Sequence, residues 1–292
     1  MQFTITGYST ALFSTWYFIE ELGLLFDAGE GVTSALLQKS RKINHVFISH
    51  ADRDHLTGLL QFNQLNARPG YPVIHYPKDS GSFPALKEFS TRFDPHVAGT
   101  VWKAVTHETE IPIRDDIFIQ AIPNGHVAGQ GNTTKSLSYK VIQTKKKLKP
   151  ELTTLPGEEI KRIIQERGKE ATHIEIKTNL ISYSGDTPVE DPLRWDHSNI
   201  LIHEATFLRG EEDAGIQPHG NKHSYLEEVM EMVSGIHIEK LILGHFSSRY
   251  SPEQITRRVR ELCEQYAINI PVFCILPGKT VFDILKSPPV NN

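Results

Sequence analysis

The chain has 292 residues, of which 39% are hydrophobic and 23% charged, and its 31 Lys+Arg against 35 Asp+Glu leave a formal net charge of −4. That is the composition of a soluble globular protein, and it excludes the global basic field that advertises a nucleic-acid partner. Cys263 and Cys274 are the only cysteines and form no CxxC pair, and no apolar run reaches the length of a membrane span, so a cytoplasmic protein with core thiols and no membrane contact is expected.

Short β-branched or apolar runs recur along the chain and predict strands over 3–6, 15–19, 23–27, 45–49, 72–76, 117–122, 136–142, 179–184, 199–204, 240–245, 271–276 and 280–285. Helical patterns separate several of them. "HLTGLLQFNQL" over 55–65 predicts one helix directly after the fourth run. Residues 145–170 differ in composition, holding eight Lys/Arg against five Glu, with Ile160, Ile163 and Ile164 as a narrow apolar stripe. The stretch "SYLEEVMEMVSGI" places Leu226, Val229, Met230 and Val233 on one helix face. "SPEQITRRVRELCEQY" opens with Ser251 as N-cap and Pro252 at the first helical position. The order is α/β or α+β with large sheets. It is expected to form a single domain over 1–286, with 145–178 as a possible inserted arm and 287–292 as a disordered tail.

Potential ligands gather where runs end. His50, His126, Asp186, Glu204 and His245 all fall at or just beyond the carboxyl end of an apolar run, the edge where α/β sheets place their sites. The stretch "SHADRDH" at 49–55 adds Asp52, Asp54 and His55. Residues two apart on an extended strand end point the same way, so His50 and Asp52 would project together. The competing reading is that Asp52 or Asp54 caps the following helix.

"HADRDH" is similar to the HxHxDH motif of the metallo-β-lactamase superfamily, with Asp52 in place of the second histidine. "LLFDAGEGVTSALLQ", "PNGHV", "ISYSGDT", "LIHEATF", "KHSYLEE" and "KLILGHFSSRY" occur in the order found in its ribonuclease Z, or tRNA 3′-endonuclease, branch. The resemblance implies an αββα sandwich, two mixed sheets face to face with helices on the outer faces. It implies two divalent metal ions. His50, Asp52, His126 and a bridging Asp186 would hold the first, and Asp54, His55, Asp186 and His245 the second, with Asp27 orienting a ligand histidine. Asp54, His223 and Glu204 would be catalytic, with His223 supplying a proton to the leaving oxygen. For His223, spacing alone leaves open a bland role beside Ser224 at a helix start.

The resemblance further implies a zinc-dependent hydrolase that cleaves phosphodiester bonds through a metal-bridging hydroxide, with RNA 3′-end processing as the leading activity and a homodimer as the assembly. A cyclic-nucleotide or other small phosphodiester substrate, and carbonyl hydrolysis of a lactam, lactone or thioester, are the alternatives. Asp52 adds a negative charge to the first site, which should favour manganese or iron over zinc. The interval between His126 and Asp186 contains the basic stretch 145–170, where the family inserts its tRNA-gripping arm. The glycine loop "GYSTALFSTWYFI" lacks the family's proline-containing pattern.

Overall fold

Strands β1 (Ile5–Thr10), β2 (Ser14–Ile19), β3 (Leu24–Phe26), β4 (His45–Phe47), β5 (Val73–Pro77) and β6 (Val101–Val105) lie side by side in chain order in one sheet of the computed structural model. The structure describes residues 1–127, 133–209 and 222–292. A second sheet holds β7 (Glu110–Arg114), β8 (Ile117–Pro123), β9 (Leu137–Leu148), β10 (His173–Tyr183), β11 (Ser198–Glu204), β12 (Ile238–Gly244) and β13 (Val272–Cys274), in the reverse spatial order. Both sheets are mixed. β3 to β6 and β10 to β13 run parallel, and the remaining neighbours are antiparallel.

The period-2 alternation of the strands divides the apolar residues between layers. Leu24, Phe26 and Phe47 from the first sheet meet Tyr139, Val141, Ile181, Tyr183 and Ile202 from the second in a core between the sheets. Leu25, Val46 and Ile48 point the other way, against α1 (Val32–Leu36), α3 (Leu59–Asn66) and α4 (Ser82–Phe93), where Leu59, Phe62 and Phe83 are buried. On the far side, Leu201, Leu241 and Leu243 pack against α6 (Leu226–Ser234) and α7 (Pro252–Gln265). Each such buried side chain contributes roughly 1.5–3 kcal/mol. The result is the expected αββα layering.

Several elements depart from the sequence reading. The helix expected over 55–65 is two, α2 (Arg53–Leu56) and α3, because the chain must pass the 27–29 loop at Gly58. A Cβ at Gly58 would lie 2.1 Å from the Gly29 carbonyl oxygen. The run 280–285 is not a strand: Val281 makes one isolated bridge to Gly7, and Asp283 turns the chain at φ 47° into a 3-10 turn over Ile284–Lys286. β6 and β7 escape the pattern because both are five-residue edge strands, β6 interrupted by Lys103 and β7 mostly exposed with Pro112 at its centre. The tail expected to be disordered is held instead. Val290 N donates to Val272 O (2.7 Å), and the Asn291 side chain accepts from Val272 N (3.0 Å) and donates to Ile270 O (2.9 Å). The edge of β13 offers backbone groups that would otherwise lack partners, and the tail satisfies them.

Within 145–178, β9 and β10 continue as a paired ribbon from Tyr139↔Tyr183 out to Leu148↔His173. The ribbon carries α5 (Gly157–Arg167), a helix with no buried residue. Cys263 is buried in α7 and Cys274 lies in β13, both free thiols.

Candidate metal centre

The sheet ends converge. β4 runs into Ser49–His50, β10 into Asp186, β11 ends at Glu204 and β12 runs into His245, so parallel strands of both sheets deliver polar side chains to one edge. The two sheets are tied together there. Tyr139 OH donates to Ile48 O (2.7 Å), Leu137 N to Ser49 O (2.8 Å), and His245 N to Ser9 Oγ (2.8 Å).

At this edge His50, His55, His126 and His245 are all buried, and each has one ring nitrogen fixed by a neighbour. Ser49 Oγ donates to Asp27 Oδ2 (2.8 Å) and so accepts from His50 Nδ1 (2.9 Å). His55 Nδ1 donates to Asp27 Oδ2 (2.7 Å), and His126 Nδ1 to Lys222 O (3.0 Å). His245 Nδ1 donates to Thr206 Oγ1 (2.8 Å), whose hydroxyl in turn donates to Glu204 Oε2. In the neutral ring each of these bonds leaves Nε2 as the bare lone pair facing inward, which is how metal-binding histidines are held.

The four Nε2 atoms face carboxylates. His50 Nε2 lies 3.5 Å from Asp52 Oδ2 and 3.7 Å from Asp186 Oδ2, and His126 Nε2 lies 3.6 Å from Asp52 Oδ2. Across Asp186, His55 Nε2 and His245 Nε2 are 3.4 Å apart. They stand 3.2 and 3.3 Å from Asp186 Oδ2, and 3.6 and 3.4 Å from Asp54 Oδ2. Four ligands about 2.1 Å from one tetrahedral ion lie roughly 3.4 Å from each other. The spacing therefore fits two adjacent cation positions that share Asp186.

Two further observations test that fit. His50 Nε2 is buried with no hydrogen-bond partner, a lone pair that a cation would satisfy. Burial penalises a charged His55 ring, yet Asp186 and Asp27 outweigh it and hold the ring well above the ordinary imidazole range. The end of the pocket around His55 thus attracts positive charge even where it is poorly solvated, whereas burial and the neighbouring His55 hold the His50 ring below the imidazole range. Asp52 itself is drawn well below the carboxylate range by His126 and His50. It occupies the N-cap position of α2 but makes no capping bond, so its side chain serves the histidines and not the helix.

The chain and its fold have known counterparts. Residues 23–149 match the model of a β-lactamase superfamily domain. Over 287 residues the chain is 28% identical to the chloroplastic tRNase Z TRZ2 of Arabidopsis thaliana, covering 92% of this chain and 74% of that one. The metallo-β-lactamase fold protein YhfI from Bacillus subtilis superposes with a TM-score of 0.64 at 14% identity, over 96% of this chain and all (100%) of that one. The chain has the metallo-β-lactamase fold. The short form of human tRNase Z shares it, with a TM-score of 0.60 at 16% identity over 95% of this chain and 98% of its own.

Within the metallo-β-lactamase fold the other expected residues also converge. Asp27 is fully buried and accepts from Ser49 N (2.6 Å), Ser49 Oγ, His55 Nδ1 and Tyr183 OH. His223 Nδ1 lies 3.0 Å from Glu204 Oε1 and 3.9 Å from Asp186 Oδ2. Burial lowers the His223 pKa, but Glu204 more than reverses this and raises it to about 9. The helix-start alternative for His223 fails: Tyr225 is the N-cap, with Glu228 completing the box, and Ser224 Oγ donates to Thr187 O (2.6 Å). Sequence reasoning passed over Ser49, Tyr183 and Thr206. Thr206 sits inside "HEATF" and Tyr183 inside "ISYSGDT", but a hydroxyl in a strand-end motif carries no sign of what it will touch. Among the described residues no helix is long and apolar enough to cross a membrane.

Proposed function

We propose that this chain is a dinuclear metal-dependent phosphodiesterase of the ribonuclease Z type, with RNA 3′-end cleavage as its leading activity. The observation that carries the reading is the shared Asp186, with a histidine–carboxylate set on either side at tetrahedral spacing. His50, Asp52, His126 and Asp186 would hold one ion, and Asp54, His55, Asp186 and His245 the other. Two such ions would polarise a phosphoryl oxygen and lower the pKa of a water.

The chain's own groups supply the rest. Asp27 holds His55, and through Ser49 also His50, in the tautomer that leaves Nε2 free. Glu204 orients His223 and keeps it protonated near neutral pH, so that it can give a proton to the departing ribose oxygen. An acyl hydrolase has no need of that pair, which favours phosphodiester over carbonyl chemistry. Asp54 faces the second position through Oδ2, the oxygen that also accepts from Leu12 N (3.0 Å), which fixes the orientation of the carboxylate.

Asp52 makes the donor set of the first position richer in oxygen, which favours manganese or iron over zinc there. The exposed ribbon with Lys145, Lys146 and Lys147, and α5 at its end, is suited to grip an RNA backbone. A cytoplasmic homodimer is part of the same reading. The test is apo-protein reloaded with zinc, manganese or iron and offered bis-p-nitrophenyl phosphate, cyclic nucleotides, a tRNA precursor and a β-lactam. Cleavage of phosphodiesters is expected, best with manganese or iron. Failure on every phosphodiester with every metal refutes the reading.

A further inference from the structure

The turn joining β1 to β2 presents two large apolar side chains to solvent beside the metal centre. Leu12 is 89% exposed and Phe13 60%. The turn is nevertheless firmly tied. Ala11 N donates to Phe246 O (3.2 Å), Phe13 N to Thr10 O (3.0 Å), and Leu12 N to Asp54 Oδ2 (3.0 Å). Leu12 adopts φ 69°, a left-handed conformation that a leucine rarely accepts without an external reason. Its bond to Asp54 supplies one.

Beside Phe13 a groove of about 430 Å³ is lined by Tyr8, Trp16, Glu30, Ser34 and Thr280. The 27–31 segment links groove and centre, since Asp27 holds His55 and, through Ser49, His50, while Glu30 and Gly31 line the groove. Gly29 between them packs so closely on α2 that a Cβ would lie 2.3 Å from the Asp54 carbonyl oxygen. Among the described residues no Lys or Arg lines the groove, so it is not built for phosphate. Aromatic faces, the hydroxyls of Ser14, Ser34 and Thr280 and the exposed Glu30 carboxylate suit a flat ring with a polar edge.

We propose that Phe13, with Tyr8 and Glu30, forms a subsite that stacks the nucleobase adjoining the phosphodiester held at the centre. The inference rests on the phosphodiesterase reading and adds the substrate feature that the centre alone does not select. The stack accepts a base from an RNA strand or from a small nucleotide.

The test compares manganese-loaded parent, Phe13→Ala and Phe13→Trp proteins on adenosine 5′-(p-nitrophenyl phosphate) and on ethyl p-nitrophenyl phosphate, which has no base. In Phe13→Ala the ratio of kcat/KM for the nucleoside ester over the ethyl ester should fall about tenfold through KM, the loss typical of one stacked base, and Phe13→Trp should restore it. An unchanged ratio overturns the subsite, as does an equal loss on both esters, which would make Phe13 a mere support for Asp54. A matching rise in KM for a short RNA assigns the base to a strand, and a loss confined to the mononucleoside ester assigns it to a small nucleotide; either outcome sustains the subsite. A parent protein that cleaves neither ester refutes phosphodiester hydrolysis but leaves the subsite testable by binding. In that case AMP titrated against intrinsic tryptophan fluorescence should bind Phe13→Ala about tenfold more weakly, and equal affinity overturns the inference.

Discussion

Replacing Asp27 with asparagine perturbs the centre without touching any residue that faces the cation positions. Four donors converge on this fully buried carboxylate: Ser49 N on Oδ1, and Ser49 Oγ, His55 Nδ1 and Tyr183 OH on Oδ2. Asparagine keeps the shape but offers one acceptor oxygen and an NH₂ group. In its better orientation the oxygen serves the three donors on the Oδ2 side, and the Ser49 amide is left facing another donor. One buried donor without an acceptor costs about 1–3 kcal/mol. Losing the charge on the three remaining bonds weakens each of them, for a total of about 2–4 kcal/mol. Urea unfolding of the metal-free Asp27→Asn protein should move to a lower midpoint by that amount. Because the bond that holds His55 Nδ1 as a donor loses its charged acceptor, competition with a chelator should reveal roughly 10–100-fold weaker metal binding. An unfolding midpoint and a metal affinity both equal to the parent's would refute the idea that Asp27 orients the histidines.

Other outcomes follow from the same geometry. Asp52→His removes a carboxylate from between His50 and His126, and the ratio of zinc- to manganese-supported turnover should rise. Equal ratios in the two proteins would contradict the role given to Asp52. His223→Gln should bind its full complement of metal yet lose about 10²–10⁴-fold in kcat on phosphodiesters. The His223 pKa is raised in the folded state, so its stabilising effect is fully present below about pH 6.5 and disappears as pH climbs through about 9. The unfolding free energies of metal-free parent and His223→Gln should therefore converge at high pH, and a gap that widens there would invert the sign. Replacing 150–171 with a short turn between Leu148 and His173 should leave stability nearly unchanged, because α5 buries nothing. It should raise KM for a tRNA precursor at least tenfold, and an unchanged KM would remove the arm from RNA binding.

The histidines and aspartates were legible because they stand where apolar runs stop, and parallel strands carry run ends to one edge. The αββα layering was expected from the family resemblance, and alternation in the central strands carries it out, with Leu24 and Phe26 facing one core and Leu25 the other. Alternation fades in β6, and in β7 it spans only five residues around Pro112; both lie at sheet edges, and those strands were missed. The break at Gly58 depends on a backbone 29 positions earlier, a contact that no local pattern encodes. The hydroxyls of Ser49, Tyr183 and Thr206 were missed for a related reason. Ser49 and Thr206 relay a hydrogen bond between a carboxylate and a histidine, Tyr183 donates to Asp27 from 156 positions away, and only three-dimensional proximity creates these contacts.

The tie between His245 N and Ser9 Oγ, 236 positions apart, has a consequence for synthesis. The candidate ligands come from the segment after the fourth strand, the loop after the eighth, and the ends of the tenth and twelfth. On the proposed reading, no emerging chain could assemble the position that includes His245 until residue 245 has left the ribosome and docked on the first hairpin. Metal loading would then be a closing event in the protein's biogenesis, and a translation product interrupted before β12 would be left with an acidic, unneutralised half-site.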